Sequence, residues 1–69
     1  MKATTIIESL INGNLTDAYE DAKYVSAGKL IEGSMGIGYN YNQALLMACF
    51  LKGLIPFQEY CDNMNNSKV

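Results

Sequence analysis

Apolar residues recur along this chain at spacings of three and four rather than two, so the pattern predicts helices throughout and requires no strand. Ile6, Ile7, Leu10 and Ile11 form the first apolar face, and Thr5 with Glu8 three residues on reads as a capping box that opens the helix at Thr5. Asn12-Gly13-Asn14 closes it, because Gly and Asn tolerate the left-handed backbone of a helix end. Thr16 is then the cap of a second helix, with Asp17, Glu20 and Asp21 near its positive dipole end and Leu15, Ala18, Ala22 and Val25 as its stripe. Between Ser26 and Gly28 the path either breaks or bends, since Ser caps and Gly weakens a helix interior. Leu30, Ile31 and Met35 carry a buried face onward. The glycines at 33, 36 and 38 then stop the third helix, with Gly38 as its terminal cap.

Asn40 with Gln43 repeats the capping-box pattern and opens a fourth helix whose body, Ala44 to Leu51, is apolar on every side. A helix with no polar face has to be surrounded, by its own neighbours or by another chain. Gly53 closes it, and Pro56 stands at the first position of a fifth helix with Phe57, Tyr60, Cys61 and Met64 on one face. The reading is an all-α, single compact bundle of four to five short helices over residues 1–64, with residues 65–69 as a disordered polar tail.

Composition sharpens this picture in one respect. Hydrophobic residues make up 49% of a 69-residue chain, which is high for a body with so much surface for its volume. The expectation is that apolar area between positions 44 and 57 exceeds what the remaining chain covers, and that it meets another protein or a second copy, a dimer being favoured. Tyr39, Tyr41, Leu46, Met47, Phe50, Leu54, Phe57 and Tyr60 are the candidate contact residues, because aromatic and Met side chains are enriched in interface cores.

Charge argues against nucleic acid. The net charge is −2, with seven acids against five basic residues. All five are lysines, Lys2, Lys23, Lys29, Lys52 and Lys68, scattered along the chain, and Arg, the residue that grips phosphate and guanine bidentately, is absent. Glu8 interrupts the apolar start where a secretory leader needs an unbroken run, and the stretch from Ala44 to Phe57 is too short and too interrupted to span a bilayer. A cytoplasmic location follows as the expectation.

Candidate chemistry is sparse. The order GxxGxG at positions 33–38 is not the GxGxxG of a phosphate loop, and neither a strand before it nor a Gly-Lys-Ser/Thr after it supplies the frame. Cys49 and Cys61 lie outside any Cys-x-x-Cys pair, and with no His there is neither an imidazole base for a thiol nor a ligand set for zinc. The acids at 17, 20 and 21 sit on a solvated first turn, where carboxylates make poor catalysts at neutral pH. No enzyme, cofactor or metal is expected.

Asn12 to Ala18, Gly38-Tyr39, Ala44, Ala48, Leu51 to Gly53, Phe57-Gln58 and Cys61-Asp62 together resemble a pattern shared by short helical accessory proteins of temperate bacteriophages and prophages. That resemblance covers about two thirds of the chain and implies a non-enzymatic protein that binds a host or phage protein, as an inhibitor or modulator of host machinery or defence. The chain departs from the pattern at Gly33 and Gly36, where the relatives have a regular helix. More loosely, Met35 to Tyr39 with Gln43-Ala44-Leu45 resembles the first loop and following helix of ubiquitin-associated-type three-helix modules. The alternative from another functional class is a phage regulator that binds DNA through a helix-turn-helix drawn from the second to fourth helices.

Overall fold

A computed structural model describes residues 2–66, and these form five α-helices: α1 (Ala3–Ile11), α2 (Leu15–Ala22), α3 (Ala27–Ile37), α4 (Tyr41–Leu51) and α5 (Phe57–Asn66). No strand occurs among the described residues. α3 packs against both α1 and α4, α1 also holds α2, and α5 leans on α4. The radius of gyration is 10.6 Å, close to the roughly 11 Å of a well-packed chain of this length.

Three helix ends share one device. After α1, α3 and α4 the backbone turns at Gly13, Gly38 and Gly53, each with positive φ. In each case the glycine N–H bonds the carbonyl three residues back, and the next N–H bonds the carbonyl five residues back: Asn14 to Ser9, Tyr39 to Ser34, Leu54 to Cys49. This is the Schellman closure, which satisfies carbonyls that would otherwise be orphaned. At Gly38, with φ of 125°, a side chain would be strained.

α2 is followed by no such glycine, and its end is secured from elsewhere. Lys52, the C-cap residue of α4, reaches back so that its Nζ donates to the carbonyls of Ala22 and Val25 at 2.6 and 2.5 Å. A cation placed on the negative end of a helix, making two hydrogen bonds at once, is a favourable arrangement. It ties two segments some thirty residues apart in sequence.

The core takes Ile6, Ile7 and Leu10 from α1, Ala18 and Ala22 from α2, Leu30 from α3, and Met47, Ala48, Phe50 and Leu51 from α4. Phe50 is its centre. Its ring stacks on Tyr60 at 4.7 Å and meets Tyr19 at 5.0 Å and Phe57 at 5.6 Å, both tilted. Such offset and tilted aromatic contacts add to the area they bury.

Several boundaries differ from those the pattern predicts. α1 starts at Ala3, so Thr5 lies inside it, its N–H bonded to the Lys2 carbonyl, and no Thr5–Glu8 box forms. Ala3 is helical where it packs against Gly33, and that contact draws the start forward: a Cβ on Gly33 would lie 2.9 Å from the Ala3 Cβ. Leu15 is already helical, so Asn14 rather than Thr16 is the N-cap of α2. Asn14 is held there because its own N–H completes the closure of α1.

At Ser26 the chain breaks rather than bends, and the Ser26 hydroxyl accepts the Lys29 N–H to start α3. α3 runs straight through Gly33 and Gly36 and ends at Ile37. Packing at Gly33 stabilises what propensity weakens. Met35, Gly36 and Ile37 are thus helical, not the loop a ubiquitin-associated-type module would place there, and the helices number five rather than three. The Asn40–Gln43 box forms in both directions. Pro56 precedes α5 by one residue and its carbonyl accepts the Tyr60 N–H. Asn65 and Asn66 belong to α5; the rest of the expected tail, 67–69, lies outside the described residues.

Candidate functional site

α4, apolar all round, has its inner side fully covered: Ala44, Met47, Ala48, Phe50 and Leu51 are buried. Coverage fails toward its N-terminal half and beyond its end. Tyr41 and Leu45 stand exposed one turn apart, and Leu54 is 73% exposed and Phe57 51% exposed. Between positions 44 and 57 the large apolar side chains left exposed are thus Leu45, Leu54 and Phe57, and most of α4 is covered by its own chain.

Among the eight candidate contact residues the structure makes a division. Met47 and Phe50 are not surface residues at all; both are sealed in the core, because the inner faces of α1 and α3 and the aromatic rings of α2 and α5 close over them. Leu46 is half-buried on α4. Tyr39, Phe57 and Tyr60 come together with residues that the sequence reading assigned elsewhere.

They form an apolar groove of about 370 Å³. One wall is α5, with Phe57, Tyr60 and Cys61; the other is the end of α1, with Leu10 and Ile11; Gly13 from the α1–α2 link, Leu15 at the start of α2, and Tyr39 from the α3–α4 link complete it. No charged residue lines it. Its volume falls in the range of about 300–1,000 Å³ usual for binding clefts. Leu10, Ile11, Gly13, Leu15 and Cys61 are the lining residues absent from the candidate contact set. Ile6, Ile7, Leu10 and Ile11 are too many for one narrow stripe, since α1 buries the first three and leaves Ile11 47% exposed.

Tyr60 is the most perturbed group in the groove. Burial, with smaller effects from Tyr39 and Cys61 beside it, pushes its phenol up to about 12. It therefore stays a neutral hydroxyl at any physiological pH. Tyr19, which also meets the Phe50 ring, is likewise raised by burial.

The charges are segregated. α1, α2 and α5 carry Glu8, Asp17, Glu20, Asp21, Glu59 and Asp62 and not one lysine within their spans. Lys23, just past α2, is bonded to Glu20 at 3.4 Å. α4 holds no charged residue, and from Gly33 to Leu51 the chain has none.

A larger cleft, about 590 Å³, lies at the opposite end, between the start of α1 and the α2–α3 link. Lys2, Tyr24, Ser26, Lys29 and Glu32 line it. It is more polar than the groove, and three of its groups are engaged: Lys29 pairs with Glu32 at 3.5 Å and Ser26 caps α3. We favour the smaller groove as the candidate site because its lining is apolar and uncharged. Cys49 and Cys61 are free thiols, half-buried. Among the described residues no group of three or more His, Cys, Asp or Glu stands close enough to hold a metal, and no helix is long and apolar enough to cross a membrane.

Gly38, Tyr39 and Asn40 make a three-residue turn between α3 and α4, the length found in helix-turn-helix units. The second helix of that pair, which would enter a DNA groove, presents Tyr41, Asn42, Leu45 and Leu46 with no cation. No protein-family model, curated protein or solved structure matches the chain.

Proposed function

We propose that this chain is a non-enzymatic protein–protein interaction module, an accessory protein of the phage type that binds a host protein in the bacterial cytoplasm and modulates or inhibits it. The observation that carries this reading is a groove without a charged residue in its lining, with Ile11 and Phe57 exposed in its walls. Apolar residues gathered at a groove, rather than scattered singly, mark surfaces that meet other proteins.

Self-association as a dimer is a second use of the same excess. Met35, Ile37, Tyr41 and Leu45 are exposed on the charge-free stretch of α3 and α4, where two identical surfaces meet without like-charge repulsion. Sedimentation equilibrium at micromolar concentration should give twice the 7.6 kDa chain mass; a monomer at every concentration removes the dimer. The module itself is tested by affinity capture from a bacterial host lysate with the wild-type chain and with Phe57→Gln as parallel baits. A prey held by the first and lost by the second supports it. Identical recoveries from both baits, or none from either, contradict it.

The helix-turn-helix reading rests on the short α3–α4 turn alone. Phosphate binding draws on clustered cations, and α4 has none. Salt-sensitive, submicromolar mobility shift of duplex DNA is the result that would revive it.

A further inference from the structure

We infer that the groove between α1 and α5 docks a cationic amphipathic helix of the partner protein, leucine-like side chains entering the groove and lysines or arginines flanking it. The inference rests on the interaction-module reading and names the chemistry of its partner.

Two independent properties of the groove define the occupant. Its lining is wholly uncharged, with Leu10, Leu15 and Tyr60 at the floor and walls and Ile11 and Phe57 standing half-exposed at the edges. Apolar grooves of this kind take the apolar stripe of a helix through anchors at i, i+3 or i+4, and i+7. An occupant therefore needs at least one such stripe.

The surrounding field sets the charge of its other face. The two helices that supply the walls, α1 and α5, hold Glu8, Glu59 and Asp62, all exposed, and no lysine within their spans, while Lys2 and Lys29 lie with Glu32 at the opposite cleft. Among the described residues the cation nearest in sequence to the lining, Lys52, is turned inward onto two carbonyls, and Lys23 is paired with Glu20. Glu8 stands one turn before Ile11 on α1, and Glu59 and Asp62 alternate with Phe57, Tyr60 and Cys61 on α5, so these carboxylates act on the groove within one or two screening lengths of about 8–10 Å. Such a field attracts cations and repels anions at encounter and disfavours a wrong partner. It also disfavours a second copy seated symmetrically in the same place, since that would oppose two acidic faces.

The test uses a fluorescein-labelled designed peptide of about 18 residues, five helical turns, built of leucine on one face and lysine on the other, with anisotropy as readout. Two control peptides are the same design with glutamate for lysine, and the lysine peptide scrambled so that no apolar stripe remains. The cationic amphipath should bind at least about tenfold more tightly than either control. Its affinity should fall as salt rises from about 50 to 300 mM, as screening requires. Ile11→Gln and Phe57→Gln should each weaken it about tenfold, a typical loss for an interface anchor. Ile11→Gln keeps the test sound should loss of the Phe57 ring disturb the Phe50 cluster, and circular dichroism verifies the fold of both.

Equal binding of the glutamate or scrambled peptide, or indifference to both substitutions, overturns the inference. So does a chain whose dimerisation is abolished by Ile11→Gln, because the groove's occupant is then a second copy. If capture finds a prey dependent on Phe57 while the cationic peptide fails to bind, the inference falls and the interaction-module reading stands.

Discussion

Gly33 and Gly36 are one helical turn apart on α3, yet their environments are opposite. A methyl group on Gly33 would lie 2.9 Å from the Ala3 Cβ and 3.2 Å from the Thr4 nitrogen, whereas one on Gly36 would meet nothing within 4 Å. Gly33→Ala should therefore destabilise the fold by about 1–3 kcal/mol, the usual cost of overpacking. Gly36→Ala should stabilise it by about 0.5–1 kcal/mol through helix propensity. Urea unfolding followed by circular dichroism distinguishes them; equal shifts of the midpoint would show that α1 and α3 do not meet at Gly33. Tyr60 supplies a second residue-level expectation. Its phenol rises from 10.0 in the unfolded chain to about 12 in the folded one, so the unfolded chain loses its proton first. The stabilisation associated with that shift is complete below pH 10 and disappears as pH climbs toward 12. A tyrosinate absorbance titration should show late-ionising tyrosine from Tyr60 and Tyr19, and Tyr60→Phe should remove the Tyr60 part of it. A titration unchanged by that substitution would contradict the burial of the ring.

Helices α1, α3 and α4 each end on a glycine; α2 ends on a lysine from another helix. Lys52→Met preserves the aliphatic stem but withdraws both hydrogen bonds to the Ala22 and Val25 carbonyls. The expected loss is about 1–3 kcal/mol, visible as a fall in thermal midpoint of roughly 4–8 °C per kcal/mol for a domain this small. An unchanged midpoint would mean that water serves those carbonyls equally well. This element also marks where sequence reading stops. Gly13, Gly38 and Gly53 and the Asn40–Gln43 box are local chemistry, readable from a few neighbouring residues, whereas the residues from Ser26 to Gly28 are compatible with a break or a bend and only the packing of α3 decides. Lys52 is not readable that way, because its partners are 27 and 30 residues distant. Nor are the start of α1 and the continuation of α3 through its glycines, which depend on one helix meeting another at Gly33. The groove was half legible for the same reason. Its α5 wall follows from the Phe57, Tyr60, Cys61 spacing, but Ile11 and Leu15 join it only when the α1–α2 link folds alongside.

Taken whole, the molecule exposes 4294 Å², near the roughly 4,300 Å² typical of a compact monomer of 7.6 kDa. The chain thus covers itself as well as most small domains do, and what distinguishes it is the kind of surface left over. The uncharged groove, with Glu8, Glu59 and Asp62 on its wall helices, lies at one end, a more polar cleft with Lys2, Lys29 and Glu32 at the other, and the chain from Gly33 to Leu51 carries no charge. Amide shift mapping of the labelled chain with the lysine–leucine helix probes this division most directly. Perturbations should centre on Ile11, Gly13, Leu15, Tyr39, Phe57 and Cys61 and leave Tyr24, Ser26 and Lys29 unmoved. Shifts centred instead on the Lys2–Lys29 cleft, or spread evenly over every acidic side chain with the groove untouched, would contradict a partner surface built from that groove.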